Sequence, residues 1–134
     1  MIKPGTKHYV IKEDDGIVVA IGNEVYPENE ASDARLNRDE KWFLSKVLSN
    51  NTYDNIYRGK GVARCSGDDA FDVNTGKIIA SAKADKQLHR QMVHCYDKTI
   101  RQLENVLAET KRLKACHEDK IRRCDDVIDS YCRH

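Results

Sequence analysis

From Lys77 to His134 the chain contains no glycine and no proline. Lys, Arg, Glu, Asp, Gln, Leu, Ala and Ile make up most of that stretch, a composition that favours helix. One helix through all of it would be roughly 85 Å long, at about 1.5 Å per residue. The part of the chain before Lys77 is too small to cover a helix of that length, so the helix must find a partner or lie largely in solvent. Such a chain reads as a binding or assembly protein rather than an enzyme.

At 134 residues there is room for one domain with a modest core and an appendage. The boundary is expected at 82/83, with a small α+β domain over 1–82 and a long helix, an oligomerisation segment, over 83–134. The net charge of +1 hides a split between the two halves. Residues 1–76 carry 10 Lys/Arg against 13 Asp/Glu, whereas 77–134 carry 13 against 9. This asymmetry weakly favours a polyanion near the helix. No charged stretch followed by an apolar run opens the chain, and no apolar run approaches the roughly 18 residues of a membrane span. Five cysteines, an odd number, then point to reduced thiols and a cytoplasmic setting.

The front of the chain predicts a hairpin. His8-Tyr9-Val10-Ile11-Lys12 and Ile17-Val18-Val19-Ala20-Ile21 are β-branched runs around Glu13-Asp14-Asp15-Gly16, and Asp15-Gly16 suits the two positive-φ positions of a type I′ turn. Tyr26–Glu30 reads as loop. A helix capped by Ser32 or Asp33 is expected to run to about Ser49, its apolar side marked by Leu36, Trp42, Phe43, Val47 and Leu48. A further strand pair, or one bent strand, is expected from Tyr53 to Cys65, interrupted by Gly59-Lys60-Gly61 as a turn or bulge. Asp72 fits the N-cap of the long helix, with Phe71 as the apolar residue just outside it. The fold class is therefore α+β: a small antiparallel sheet with a short helix, followed by a long C-terminal coiled-coil-like helix.

The corner between strand and long helix carries a resemblance. Gly61-Val62-Ala63-Arg64-Cys65-Ser66-Gly67-Asp68-Asp69-Ala70-Phe71-Asp72, followed by Gly76-Lys77-Ile78-Ile79-Ala80, is similar to a pattern in small phage and prophage proteins. Those read G-x-A-x-C, then H-P-x-D-x-F-D, then a helix opening x-x-x-G-x-x-x-A; here Ser66-Gly67 stands in place of His-Pro. The pattern covers only this corner and has no cofactor or catalytic signature. The resemblance implies an origin in a mobile element and a strand-to-helix corner like the last strand and helix of double-stranded-RNA-binding-like folds. Inhibition of a host defence system, in the manner of anti-CRISPR proteins, follows from that resemblance alone.

Beyond residue 90 a repeat of seven appears. Val93, Ile100, Leu107, Lys114, Ile121 and Ile128 occupy one seam position; Tyr96, Leu103, Thr110, His117, Cys124 and Tyr131 occupy the other. Thr110, Lys114 and His117 are polar where a seam should be dry, and Val106 and Leu113 sit one position before it. Two arrangements fit: a continuous helix pairing with a copy of itself, or a helical hairpin bending near Glu109–Asp119. The absence of Gly, Pro and Asn there favours the continuous helix. The predicted oligomer interface is Val93, Tyr96, Ile100, Leu103, Leu107, Ile121, Cys124 and Ile128.

The chemistry-bearing residues speak against catalysis. Cys116, Cys124 and Cys132 recur every eight residues beside His117 and His134, but ligands on one helix face need spacings of three or four. Asp68, Asp69 and Asp72 lack the remaining ligands of a calcium loop, and Gly59-x-Gly61 lacks the rest of a phosphate loop. No catalytic residue, cofactor or metal is expected. A partner-binding surface is predicted at Tyr53, Tyr57 and Arg58 with the first basic turns of the helix, Lys83, Lys86 and Arg90, since Tyr and Arg often dominate interfaces. The partners expected are a second copy of the chain and a host or phage protein, with no membrane. The alternative is a nucleic-acid-binding accessory protein using Lys111, Arg112, Lys114, Lys120, Arg122 and Arg123, although interleaved carboxylates also suit a solvated helix face.

Overall fold

The structure, a computed structural model, describes residues 7–52, 57–65 and 72–132. It is α+β, in the order β1 (Lys7–Lys12), β2 (Ile17–Gly22), α1 (Arg38–Asn51), β3 (Lys60–Arg64) and α2 (Val73–Cys132). The chain divides into two units, Met1–Thr99 and Ile100–His134. The division falls well past the expected 82/83, because buried helix residues continue through Ala84, Leu88, Met92, Cys95 and Thr99. The continuous helix expected from the missing breakers is present, with no bend into a hairpin at Glu109–Asp119.

In the first unit the strands form one antiparallel sheet in the order β1-β2-β3. Tyr9 faces Ala20 and Ile11 faces Val18; on the other side of β2, Val18 faces Ala63 and Ala20 faces Gly61. The hairpin is where the two β-branched runs placed it, but its turn differs. Glu13–Asp15 make one turn of 3-10 helix and Gly16 alone adopts positive φ, at φ 64° and ψ 36°. A four-residue loop ending in a left-handed glycine replaces the type I′ pair, so Asp15 avoids a strained conformation.

α2 packs on one face of this sheet through small residues. Gly76, Ala80, Ala84, Leu88, Met92, Cys95 and Thr99 form its buried stripe, spaced by four and once by three. Val18, Ala20, Ala63, Ala80 and Ala84 make one cluster, in which strand and helix backbones lie close together. A Cβ added at Gly61 would stand 2.0 Å from the Ala80 carbonyl oxygen, and one at Gly59 would stand 1.9 Å from that of Ala84. Gly59-Lys60-Gly61 is therefore no turn or bulge: it leads into and opens β3, and the glycines exist to let α2 in. Polar contacts fix the packing at its edge, with Tyr9 Oη and Ser81 Oγ at 2.7 Å and Lys7 Nζ 3.1 Å from Asp85 Oδ1.

The second cluster gathers Ala31, Leu48, Tyr57, Leu88, Met92 and Cys95, with Val25, Leu44 and Tyr96 against it. Here α1 and a 3-10 segment over Pro27–Asp33 meet α2 at Leu88, Met92, Cys95 and Tyr96. That 3-10 segment takes up both the stretch read as loop and the Ser32 and Asp33 expected to cap α1. Ala34 at its end is extended, and α1 starts later, at Asn37. Asn37 and Glu40 form a capping box: Glu40 N–H donates to Asn37 Oδ1 at 2.8 Å, and Asn37 N–H donates to Glu40 Oε1 at 3.1 Å. Trp42 and Phe43, expected on the apolar side of α1, are exposed, and Leu48 is the buried residue of the helix. Asn51 closes the helix end onto α2, its Nδ2 donating to buried Thr99 Oγ1 at 2.8 Å.

The cap of α2 is Asp72, as its position before the breaker-free stretch suggested. Its carboxylate accepts from Asn74 N–H at 3.0 Å and Thr75 Oγ1–H at 2.8 Å. Those bonds, the Thr75 hydroxyl foremost, hold its pKa below the usual aspartate value. Phe71, Asp68 and Asp69 lie outside the described residues.

Candidate interaction surfaces

Within the second unit, α2 carries a row of large apolar side chains with nothing over them. Ile100, Val106, Leu107, Leu113, Ile121, Val127, Ile128 and Tyr131 are between 48% (Leu113) and 78% (Tyr131) exposed, and Leu103 is half-buried. At 100° per residue these positions fall on one side of the helix. Cys124 shares that side and is exposed. Lys114 and His117 interrupt it at mid-length. Val106, Leu113 and Val127 widen the row by one position beyond the two seam positions, a breadth that suits a helix face buried in a bundle.

The other predicted interface residues fall in the first unit. Val93 is exposed there, but Tyr96 belongs to the core margin and its hydroxyl donates to Glu30 Oε1 at 2.5 Å. Burial and the Glu30 carboxylate both raise the Tyr96 pKa, so the phenol stays protonated as a donor. The seven-residue repeat could not separate these two, because a core stripe and an outer seam run side by side on adjacent positions.

The surface predicted around Tyr57 needs correcting. Tyr57 is 6% exposed, packed among Leu48, Leu88, Met92 and Cys95. Burial pushes both the Tyr57 phenol and the Cys95 thiol upward, which leaves Cys95 an unreactive core thiol. Its neighbour Arg58 is exposed and reaches Glu24 Oε1 at 3.3 Å. Tyr53 lies outside the described residues. Lys86 and Arg90 are exposed on α2, whereas Lys83 Nζ donates to the Val62 carbonyl at 3.0 Å and so ties the helix to β3.

Three arginines of the second unit are engaged with carboxylates of their own helix. Arg112 pairs with Glu109, and Arg122 and Arg123 both pair with Asp119 at 2.9 and 3.0 Å. The Arg112 guanidinium accordingly holds Glu109 below the usual glutamate range. Lys111, Lys114 and Lys120 are exposed. Among the described residues no three His, Cys, Asp or Glu side chains come together as metal ligands would. Among them, too, no helix is long and apolar enough to cross a membrane.

A surface that the sequence reading passed over is the sheet face turned away from α2. Residues paired across an antiparallel sheet share a face. The register therefore builds three rows: His8–Ile21–Lys60, Val10–Val19–Val62 and Lys12–Ile17–Arg64. The four corners are His8, Lys60, Lys12 and Arg64, all exposed; Val10 at the edge is 47% exposed, and the remaining apolar residues are half-buried. Strict alternation in β1 was the available signal: His8, Val10 and Lys12 fall on one side, Tyr9 and Ile11 on the other.

Compared with protein-family models, with curated proteins and with solved structures, the chain matches none.

Proposed function

We propose that this is a non-enzymatic binding protein that self-associates through residues 100–131 of α2 and presents its sheet domain to another macromolecule. The observation carrying the proposal is the exposed apolar row from Ile100 to Tyr131. Burying one such side chain is worth roughly 1.5–3 kcal/mol, so a partner helix with a matching row would be held firmly. A second copy of the chain supplies that row by construction.

The polar centre of the row favours antiparallel pairing. Side by side in parallel, Lys114 would meet Lys114 of the other copy. With the copies reversed and Ile100 level with Tyr131, Lys114 meets His117, whose imidazole can accept from the ammonium, and Lys111 comes near Glu118. Leu103 then packs on Ile128 and Leu107 on Cys124. An origin in a mobile element, and action against a host defence system, belong to the proposal through the resemblance at Gly61–Asp72.

Cysteine cross-linking tests the pairing. In a background with Cys116→Ser and Cys132→Ser, Leu107→Cys should form an intermolecular disulfide with Cys124 within minutes of mild oxidation. Rapid Cys124–Cys124 linkage without the Leu107 change would mean parallel helices; no linkage in either protein would remove the helix pair.

A further inference from the structure

The sheet face opposite α2 has a charge pattern at odds with its domain. Residues 1–76 are acidic on balance, by 13 Asp/Glu to 10 Lys/Arg, yet the nine residues of this face include no carboxylate. Its corners are Lys12, Lys60, Arg64 and His8, and among the described residues none of the four forms an ion pair. The five residues between the corners are all β-branched and aliphatic. The α2 contacts fall on the other side, at Gly61, Ala63, Val18 and Ala20.

This geometry selects among partners. Nucleic acid read on a sheet face is typically held by several aromatic rings that stack on bases; this face carries one ring, the imidazole of His8 at a corner, and Tyr9 faces α2 instead. An aliphatic centre also gives phosphates nothing to bind and would strip water from them at a cost. An amphipathic helix suits it better. Residues four apart on a helix rise about 6 Å, close to the roughly 6.7 Å between alternate residues of a strand. A helix laid along β2 would set successive apolar side chains over Ile17, Val19 and Ile21. Neighbouring strands about 4.8 Å away put Lys12 on one side of it and Lys60 and Arg64 on the other, where flanking carboxylates would meet them.

We infer that the sheet face bounded by Lys12, Lys60, Arg64 and His8 is a docking surface for an acidic amphipathic helix of a partner protein. The inference deepens the binding role proposed above and is separate from self-association through α2. Lys12, Lys60 and Arg64 set orientation and association rate, while the aliphatic centre supplies the water-excluding contact.

Fluorescence anisotropy on the full chain tests it with three labelled probes. One is a synthetic helical peptide with Leu along one face and Glu on both flanks; the second has Lys in place of Glu; the third is a single-stranded oligonucleotide of the first peptide's charge. The Glu peptide should bind saturably and at least tenfold more tightly than either other probe. Lys60→Glu with Arg64→Glu should weaken it tenfold or more, as should Val10→Asp, with circular dichroism unchanged. Lys111→Glu with Lys114→Glu on α2 should leave it unmoved. Equal binding of the Lys peptide, equal or tighter binding of the oligonucleotide, or indifference to the Lys60 and Arg64 reversal would overturn the inference. Light scattering on the same samples separates the two ideas: Ile100→Asp with Leu107→Asp changes the mass if self-association is right, and should not change peptide binding.

Discussion

One methyl group at Gly61 would meet the Ala80 carbonyl oxygen at 2.0 Å, and neither backbone can yield without separating β3 from α2. Gly61→Ala should therefore destabilise the first unit by about 3 kcal/mol, at the upper end of the usual cost of overpacking. A denaturant midpoint unchanged from the parent would contradict the close approach. Ala80→Gly tests the same contact from the helix side and should cost only the roughly 1 kcal/mol of a helix glycine. Asn37→Ala removes a cap whose two hydrogen bonds join Asn37 and Glu40, and should cost about 1 kcal/mol. Asp72 adds a pH signature. Its folded pKa is depressed, so its contribution is present above the ordinary aspartate pKa and lost as pH falls through the lower folded value. Asp72→Asn should flatten the fall in stability on acidification below about pH 4; a variant whose acid limb keeps the parent's slope would show that the carboxylate's charge is not used.

At the scale of elements, what could be read in advance follows from how local each signal is. The hairpin, the Asp72 cap and the single long helix all rest on neighbours in sequence: two β-branched runs around Asp15-Gly16, a capping side chain, a breaker-free run from Lys77 to His134. The errors fall where a distant element decides. Gly59 and Gly61 look like a turn until Ala80 and Ala84 are known to press on them. Tyr57 looks like an exposed edge residue until Leu88 and Met92 close over it. The α1 start was misplaced because Pro27 begins a 3-10 segment that uses up Ser32 and Asp33, leaving the capping box to Asn37 and Glu40. The open sheet face was legible only once β1 and β3 were put in register with β2. Thiols report on these elements directly. Cys95, buried against Tyr57, should react with a thiol reagent only as fast as the first unit opens, while Cys116 and Cys132 react at once. Cys124 is exposed on its own helix, so slow modification at high protein concentration and fast modification on dilution would mark burial by a second copy.

At the scale of the whole molecule, the two units have different surfaces. The first packs α2 on its sheet through small residues and against α1 through larger ones, and offers a basic, aliphatic sheet face. The second spends its length on an apolar row that a lone helix would leave in water. Nucleic-acid binding through the second unit fits less well, since Arg112, Arg122 and Arg123 are paired with Glu109 and Asp119. A binding constant for oligonucleotide that fell steeply with salt would nevertheless restore it. The central claim is self-association through residues 100–131, and the molar mass in solution tests it most directly. The chain weighs 15.4 kDa. Light scattering at tens of micromolar should give at least twice that mass, returning to that of one chain when Ile100 and Leu107 are both replaced by Asp, with the first unit's stability unchanged. A single-chain mass for the unaltered protein would contradict the account.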